Sequence, residues 1–73
     1  MTANLERLKG AVTAYDPFKG YGFIRREEGR DVFFFYDDVE GDHDVNIGDQ
    51  VLFLIENAPK GPKARAIKKI ELI

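Results

Sequence analysis

The stretch Asp31-Val32-Phe33-Phe34-Phe35-Tyr36 decides the fold class of this chain. β-branched and aromatic side chains are enriched in strands, so the run predicts a strand over Val32 to Tyr36. A second extended run, Tyr21 to Arg26, follows a turn formed by Asp16-Pro17-Phe18-Lys19-Gly20. Glu27-Glu28-Gly29-Arg30 supplies a turn between the two runs, which predicts neighbouring antiparallel strands.

Three further segments complete the predicted set of strands: Leu8 to Tyr15, Val51 to Glu56 and Ala64 to Leu72. An acidic connection with one predicted helical turn at 37–40 and a loop at 57–62 separate the later strands. Five short strands favour a partly open, antiparallel Greek-key barrel, because closure removes exposed sheet edges. Alternation along the strands predicts a core of Val12, Ile24, Val32, Phe34, Val39, Val51, Phe53, Ile55 and Ile67.

Length and composition exclude several classes of protein. With 73 residues, the chain is expected to be one domain over 1–73, with a short N-terminal extension at 1–7. It contains no serine or cysteine and only one histidine, His43, which excludes a Ser–His or Cys–His nucleophile and a zinc site of several Cys and His ligands. We therefore expect a protein that is not an enzyme and that has no cofactor or metal.

The distribution of apolar residues and cysteines points to a cellular location. The first ten residues carry Glu6, Arg7 and Lys9 and lack the apolar segment of a secretory signal. No apolar run approaches the roughly 20 residues that a membrane span needs. Together with the absence of cysteine, these features predict a cytoplasmic protein without a membrane partner.

Charge is unevenly distributed along the chain. The net charge is −2, yet the segment from Asp37 to Asp49 holds six acidic residues and no lysine or arginine. The rest of the chain carries 11 basic against 7 acidic side chains. A basic surface that could meet phosphates is therefore compatible with the acidic total, its candidate members being Lys9, Lys19, Arg25, Lys60 and Lys63.

Aromatic residues are predicted to cover the outer side of two strands. Successive side chains of a strand point to opposite faces, so a buried Phe34 turns Phe33 and Phe35 outward. The same rule exposes Tyr21 and Phe23, and Tyr15 is expected to join them as a fifth ring. Nucleobases stack on such rings. The alternative is that the rings only pair across strands or lie under the C-terminal segment.

Two hexapeptides resemble the ribonucleoprotein motifs of the cold-shock domain family. Lys19-Gly20-Tyr21-Gly22-Phe23-Ile24 resembles the first and Asp31-Val32-Phe33-Phe34-Phe35-Tyr36 the second. The segments Gly10-Ala11-Val12, Gly48-Asp49-Gln50-Val51 and Pro59-Lys60-Gly61-Pro62-Lys63-Ala64 are also similar to the family pattern, so the resemblance spans roughly residues 8 to 70. It implies an OB-type barrel that binds single-stranded, pyrimidine-rich RNA or DNA and acts as an RNA chaperone or cold-shock-type regulator.

The resemblance also implies a set of binding residues. Base-stacking and accompanying basic positions of the family fall on Tyr15, Lys19, Tyr21, Phe23, Phe33, Phe35 and Lys60. Two departures stand out. Thr13-Ala14-Tyr15 replaces the family's usual Lys-Trp-Phe, which removes a charge and the largest ring, and Phe34-Phe35-Tyr36 replaces Val-His-Phe, which keeps a ring but loses a hydrogen-bonding group.

A second function remains open from the sequence. Leu52 and Leu54 alternate with the predicted core residues of their strand and would face outward. Together with the acidic net charge and the missing tryptophan, they suggest an OB-fold that binds protein, with little or no affinity for nucleic acid. A monomer is expected in either case, and Leu52 and Leu54 offer a surface for a weak homodimer.

Overall fold

A computed structural model describes residues 7–41 and 45–70 and shows a closed five-stranded barrel. The strands are β1 (Leu8–Asp16), β2 (Tyr21–Arg26), β3 (Val32–Phe35), β4 (Gln50–Ala58) and β5 (Gly61–Lys69), with a 3-10 helix at Tyr36–Asp38. Around the barrel their order is β1-β2-β3-β5-β4. The predicted all-β Greek-key barrel of the OB type is confirmed, but the barrel is closed where a partly open one was predicted.

One of the five strand pairings differs from the antiparallel prediction. Neighbouring strands pair antiparallel except for β3 and β5, which pair in parallel through Phe33 and Lys63. The connection that contains Asp37 to Asp49 carries the chain away from β3, so that β5 returns alongside β3 and closes the barrel. Closure places the outer faces of β2, β3 and β5 side by side.

The ends of the elements shift from their predicted places. β3 stops at Phe35 because the 3-10 helix begins at Tyr36, ahead of the predicted turn at 37–40. The predicted loop at 57–62 is a tight hairpin, in which Ala58 pairs with Gly61 and only Pro59 and Lys60 lie outside the ladder. Gly61, with φ of +124°, allows this reversal, since side-chain-bearing residues rarely adopt such a φ. Residues 71 and 72 of the predicted fifth strand lie outside the described residues.

The core fills the inside of the barrel from all five strands. Its buried members are Val12, Ile24, Val32, Phe34, Val39, Val45, Val51, Phe53, Ala64 and Ile67. Every predicted core residue is among them except Ile55, which is half-buried and packs against the cluster. Val45 and Ala64 were not predicted. Val45 lies on the connection to β4, where no strand alternation marks it as inward.

Candidate nucleic-acid interface

Four aromatic side chains form a continuous patch on the outside of β2 and β3, here called the aromatic face: Tyr21, Phe23, Phe33 and Phe35. The register sets Tyr21 opposite Phe35 and Phe23 opposite Phe33. Phe33 lies at the centre, with ring centroids 5.5 Å from Tyr21, 5.9 Å from Phe23 and 4.7 Å from Phe35. The tilted and edge-on geometries are those that aromatic pairs prefer.

The orientation of the aromatic face follows from what the other side of the sheet buries. Phe34 is completely buried between Phe33 and Phe35, and Gly22 is buried between Tyr21 and Phe23. A Cβ at Gly22 would overlap the carbonyl oxygen of Ala14 and lie 2.8 Å from the Phe34 ring. Glycine at 22 therefore gives the Phe34 ring its place in the core, and period-two alternation turns the neighbouring rings outward.

Solvent reaches the aromatic face. Phe23 is 38% exposed and Phe35 43% exposed, while Tyr21 and Phe33 are half-buried by their neighbours. β5 borders the face at Phe35, where the Lys63 ammonium lies over the ring at 5.2 Å from its centroid and leaves Phe35 partly exposed. Among the described residues, the predicted outward orientation of these four rings is confirmed.

Tyr15 does not join the aromatic face. Its ring lies parallel to the buried Phe34 ring, with centroids 5.9 Å apart, at the edge of the core. The cause is a bulge in β1: Val12 pairs with Ile24 and Ala14 with Phe23, which leaves Thr13 as an extra residue. Strict alternation from Val12 would turn Tyr15 outward. The extra residue reverses the alternation beyond the bulge, so Tyr15 points inward.

The bulge gives Ala14 the position beside the aromatic face. Ala14 is exposed and lies opposite Phe23, on the outer side of the sheet. The Thr13 hydroxyl fixes the bulge by donating a hydrogen bond to the Asp31 carboxylate at 3.2 Å. A methyl group therefore leaves one end of the aromatic face open.

The predicted basic residues lie at the border of the aromatic face, except Lys9, which lies opposite Leu52 of β4 and away from the rings. Lys19 is exposed in the β1–β2 turn, and Lys60 is exposed in the β4–β5 turn. Within the described part of the chain neither ammonium has a carboxylate partner. Lys63, by contrast, pairs with Asp38 at 3.3 Å, and Arg25 lies 3.6 Å from Asp31. The positive charge available at the face is therefore small.

A groove extends the aromatic face toward the β4–β5 turn. It has a volume of about 620 Å³ and runs between Phe33 and Phe35 on one side and residues 58–63 on the other. Because residues 57–62 were predicted to be a loop, there was no reason to expect that they form one wall of a groove. The tight hairpin builds it, since it holds Pro59 and Lys60 beside the rings of β3.

Leu52 and Leu54 are half-buried on the outer side of β4. Lys9 and Lys68 flank Leu52 across the ladder, and Arg65, which pairs with Glu56 at 3.3 Å, lies beside Leu54. Charged side chains thus break up this surface, whereas the aromatic face is a continuous apolar patch.

Two other kinds of site receive no support from the described residues. Within 7–41 and 45–70, no three His, Asp or Glu side chains come together in the manner of metal ligands. His43 lies outside those ranges. The same part of the chain has no helix of sufficient length and hydrophobicity to cross a membrane.

Comparison with known proteins gives consistent matches. Residues 8–70 match the family described as the 'Cold-shock' DNA-binding domain. The Retron Se72 cold shock-like protein of Salmonella heidelberg (strain 579083-10) is 58% identical over 64 residues, covering 84% of this chain and 96% of that protein. A cold shock-like protein of Thermotoga maritima is 39% identical over 66 residues, covering 88% of this chain and 100% of that protein.

A solved structure supports the same assignment. Drosophila Unr CSD456 superposes with a TM-score of 0.76 at 25% sequence identity, over 90% of this chain and 27% of that one. The matched range, the identity to the bacterial relatives and the barrel topology agree. The chain belongs to the cold-shock domain family, whose members bind single-stranded nucleic acids.

Proposed function

We propose that this protein binds single-stranded nucleic acid by stacking successive bases on the aromatic face. The observation that carries the proposal is the contact of the Phe33 ring with three neighbouring rings, which makes one apolar surface out of four side chains. Nucleobases have the flat shape and π-faces that such a surface accepts, and each stacked base contributes roughly 1–3 kcal/mol.

The proposed biological role follows from the chemistry of stacking. A base held on a phenylalanine ring is withheld from base pairing, so the protein opens weak secondary structure without nucleotide hydrolysis, as an RNA chaperone or cold-shock-type regulator in the cytoplasm does.

We further propose that it acts as a monomer of one domain and prefers pyrimidine-rich strands. Stacking does not distinguish RNA from DNA, because it does not involve the 2′-hydroxyl. The matched family is described as a DNA-binding domain, which makes single-stranded DNA the first ligand to test.

The binding experiment compares ligands that differ in one property. Fluorescence anisotropy with labelled oligo-dT, oligo-rU and a duplex of equal length measures the three affinities. We expect binding of both single strands and at least tenfold weaker binding of the duplex, whose bases are already stacked and paired. Equal affinity for the duplex, or no binding of either single strand, would refute stacking as the mechanism. The second result would leave the protein-binding OB-fold as the function.

Salt dependence separates stacking from charge attraction. Among the described residues, Lys19 and Lys60 at the border of the face have no carboxylate partner, while Lys63 pairs with Asp38. Each phosphate neutralised on a single strand contributes roughly −0.7 to the slope of log affinity against log salt. We therefore expect a slope of about −1 to −3 for oligo-dT, measured by titration at several sodium chloride concentrations. A slope steeper than about −5 would show that backbone charge dominates binding.

Restoring a large ring at Ala14 is expected to strengthen binding. Ala14 is exposed opposite Phe23, so the Ala14→Trp indole would extend the aromatic face. Affinity for oligo-dT should rise by up to about 1–3 kcal/mol, the contribution of one stacked base, and the indole fluorescence should be quenched on binding. Stability should change by less than about 0.5 kcal/mol, as is usual at exposed positions. A folded variant with unchanged affinity and no quenching would show that the strand does not pass β1.

A further inference from the structure

Phe18 is the most exposed large apolar side chain among the described residues, at 99% of its full accessible surface. It lies in the turn 17–20 between β1 and β2, outside the aromatic face. Single exposed apolar residues are common on protein surfaces, so exposure alone assigns no role to it. The assignment rests on how the turn holds Phe18 and on what lies beside it.

The turn is fixed before any ligand arrives. The Asp16 carboxylate accepts hydrogen bonds from the amides of Phe18 at 3.0 Å and Lys19 at 3.2 Å, and the Asp16 carbonyl accepts one from the Gly20 amide at 2.7 Å. Gly20 has a φ of +73° and lies against the Tyr36 ring, and its carbonyl accepts a hydrogen bond from the Tyr36 amide at 2.9 Å. Binding at Phe18 therefore needs no ordering of a loop, which is one of the main entropic costs of association.

The turn is continuous with the aromatic face. Asp16 pairs with Tyr21 at its base, and Tyr21 lies opposite Phe35. Phe18 and Tyr21 are three residues apart, so their Cα atoms are separated by at most about 11 Å. Lys19 is exposed between them, and the described part of the chain gives its ammonium no carboxylate partner. An exposed ring next to a free cation is the combination that single-stranded nucleic-acid sites use.

We propose that Phe18 stacks on the base that follows the one held at Tyr21, so that the binding site extends past the aromatic face by one nucleotide. Lys19 contacts the phosphate between these two nucleotides. The occupant is the same single strand, since the site is contiguous with the aromatic face and carries a positive charge. This inference rests on the proposed function.

The test measures affinity against oligonucleotide length. Wild-type protein, Phe18→Ala and the control Ile47→Ala are titrated with oligo-dT lengthened one nucleotide at a time. Ile47 is also an exposed apolar residue, at 66%, but lies on the connection to β4. For long oligonucleotides, we expect Phe18→Ala to weaken binding about 5- to 150-fold, as the loss of one stacked base predicts. Its affinity should level off one nucleotide earlier than that of the wild type, and Phe18→Trp should restore the wild-type length dependence. Ile47→Ala should behave as the wild type.

Three results would overturn the inference. They are an unchanged affinity of Phe18→Ala at every length, an equal loss at every length including the shortest that binds, and a wild-type dimer in sedimentation that Phe18→Ala dissociates. All three leave the proposed base stacking on the aromatic face intact, although the dimer would also contradict the proposed monomer. Failure of the wild-type protein to bind oligo-dT refutes the proposed function itself. Circular dichroism melting of Phe18→Ala should match the wild type, because the ring makes no contribution to the core.

Discussion

Replacing Phe33 with alanine is expected to weaken oligo-dT binding more than any other single change on the aromatic face. The Phe33 ring contacts Tyr21, Phe23 and Phe35, so its removal takes away a stacking surface and also the support of its neighbours. We expect a loss near the upper end of the stacking range, about 3 kcal/mol, or roughly a hundredfold in affinity. Fluorescence anisotropy measures the loss, with circular dichroism to verify the fold.

Two further variants make the Phe33→Ala result specific. Phe23→Ala removes a ring at the margin of the face and should cost less, about 1–2 kcal/mol, because Phe23 contacts Phe33 alone among the other three rings. Leu52→Ala removes a half-buried apolar side chain from the outer side of β4 and should leave affinity unchanged. A folded Phe33→Ala variant that binds as tightly as wild type, or a Leu52→Ala variant that loses binding, would exclude the aromatic face as the binding surface.

Replacing the next residue, Phe34, with alanine is expected to unfold most of the protein. Phe34 is completely buried, stacks with Tyr15 and fills the space that Gly22 leaves for it. Truncation of a buried phenylalanine costs about 3–5 kcal/mol through lost transfer energy and the cavity left behind. A domain this small has a total stability of a similar size, since one small core rarely supplies more than about 3–5 kcal/mol.

Chemical denaturation compares the two neighbouring variants directly. Urea unfolding followed by circular dichroism should show that Phe34→Ala has little or no folded baseline. Phe33→Ala should lose about 1 kcal/mol or less, since its ring lies on the outer side of the sheet. Should Phe34→Ala keep wild-type stability while Phe33→Ala unfolds, the faces of β3 would be the reverse of those described.

The parts of the site that obey strict alternation could be predicted from the sequence. In β2 and β3 each apolar residue that faces inward is followed by an aromatic residue or arginine that faces outward, and neither strand contains a bulge. One buried position, Phe34, therefore fixes the direction of every ring on both strands. Most of the core could be predicted for the same reason.

The predictions for Tyr15 and for residues 57–62 were wrong because they depend on local backbone geometry, which residue types do not specify. The bulge at Thr13 reversed the direction of Tyr15, and the Thr13 hydroxyl in that bulge donates a hydrogen bond to Asp31, which is 18 residues away in the chain. The hairpin at Pro59 and Lys60 was predicted as a loop because its proline and glycine residues usually interrupt strands. Here they turn the chain within the ladder and so form one wall of the groove.

Nuclear magnetic resonance of the labelled protein with unlabelled oligo-dT tests base stacking on the aromatic face most directly. Intermolecular nuclear Overhauser effects between thymine protons and the ring protons of Tyr21, Phe23, Phe33 and Phe35 are expected at saturation. Thymine protons should also shift upfield, because they lie over aromatic rings, while the resonances of Leu52 and Leu54 should remain in place. Saturating binding that leaves the ring protons of the aromatic face unchanged, or that shifts mainly the outer side of β4, would contradict base stacking on this surface.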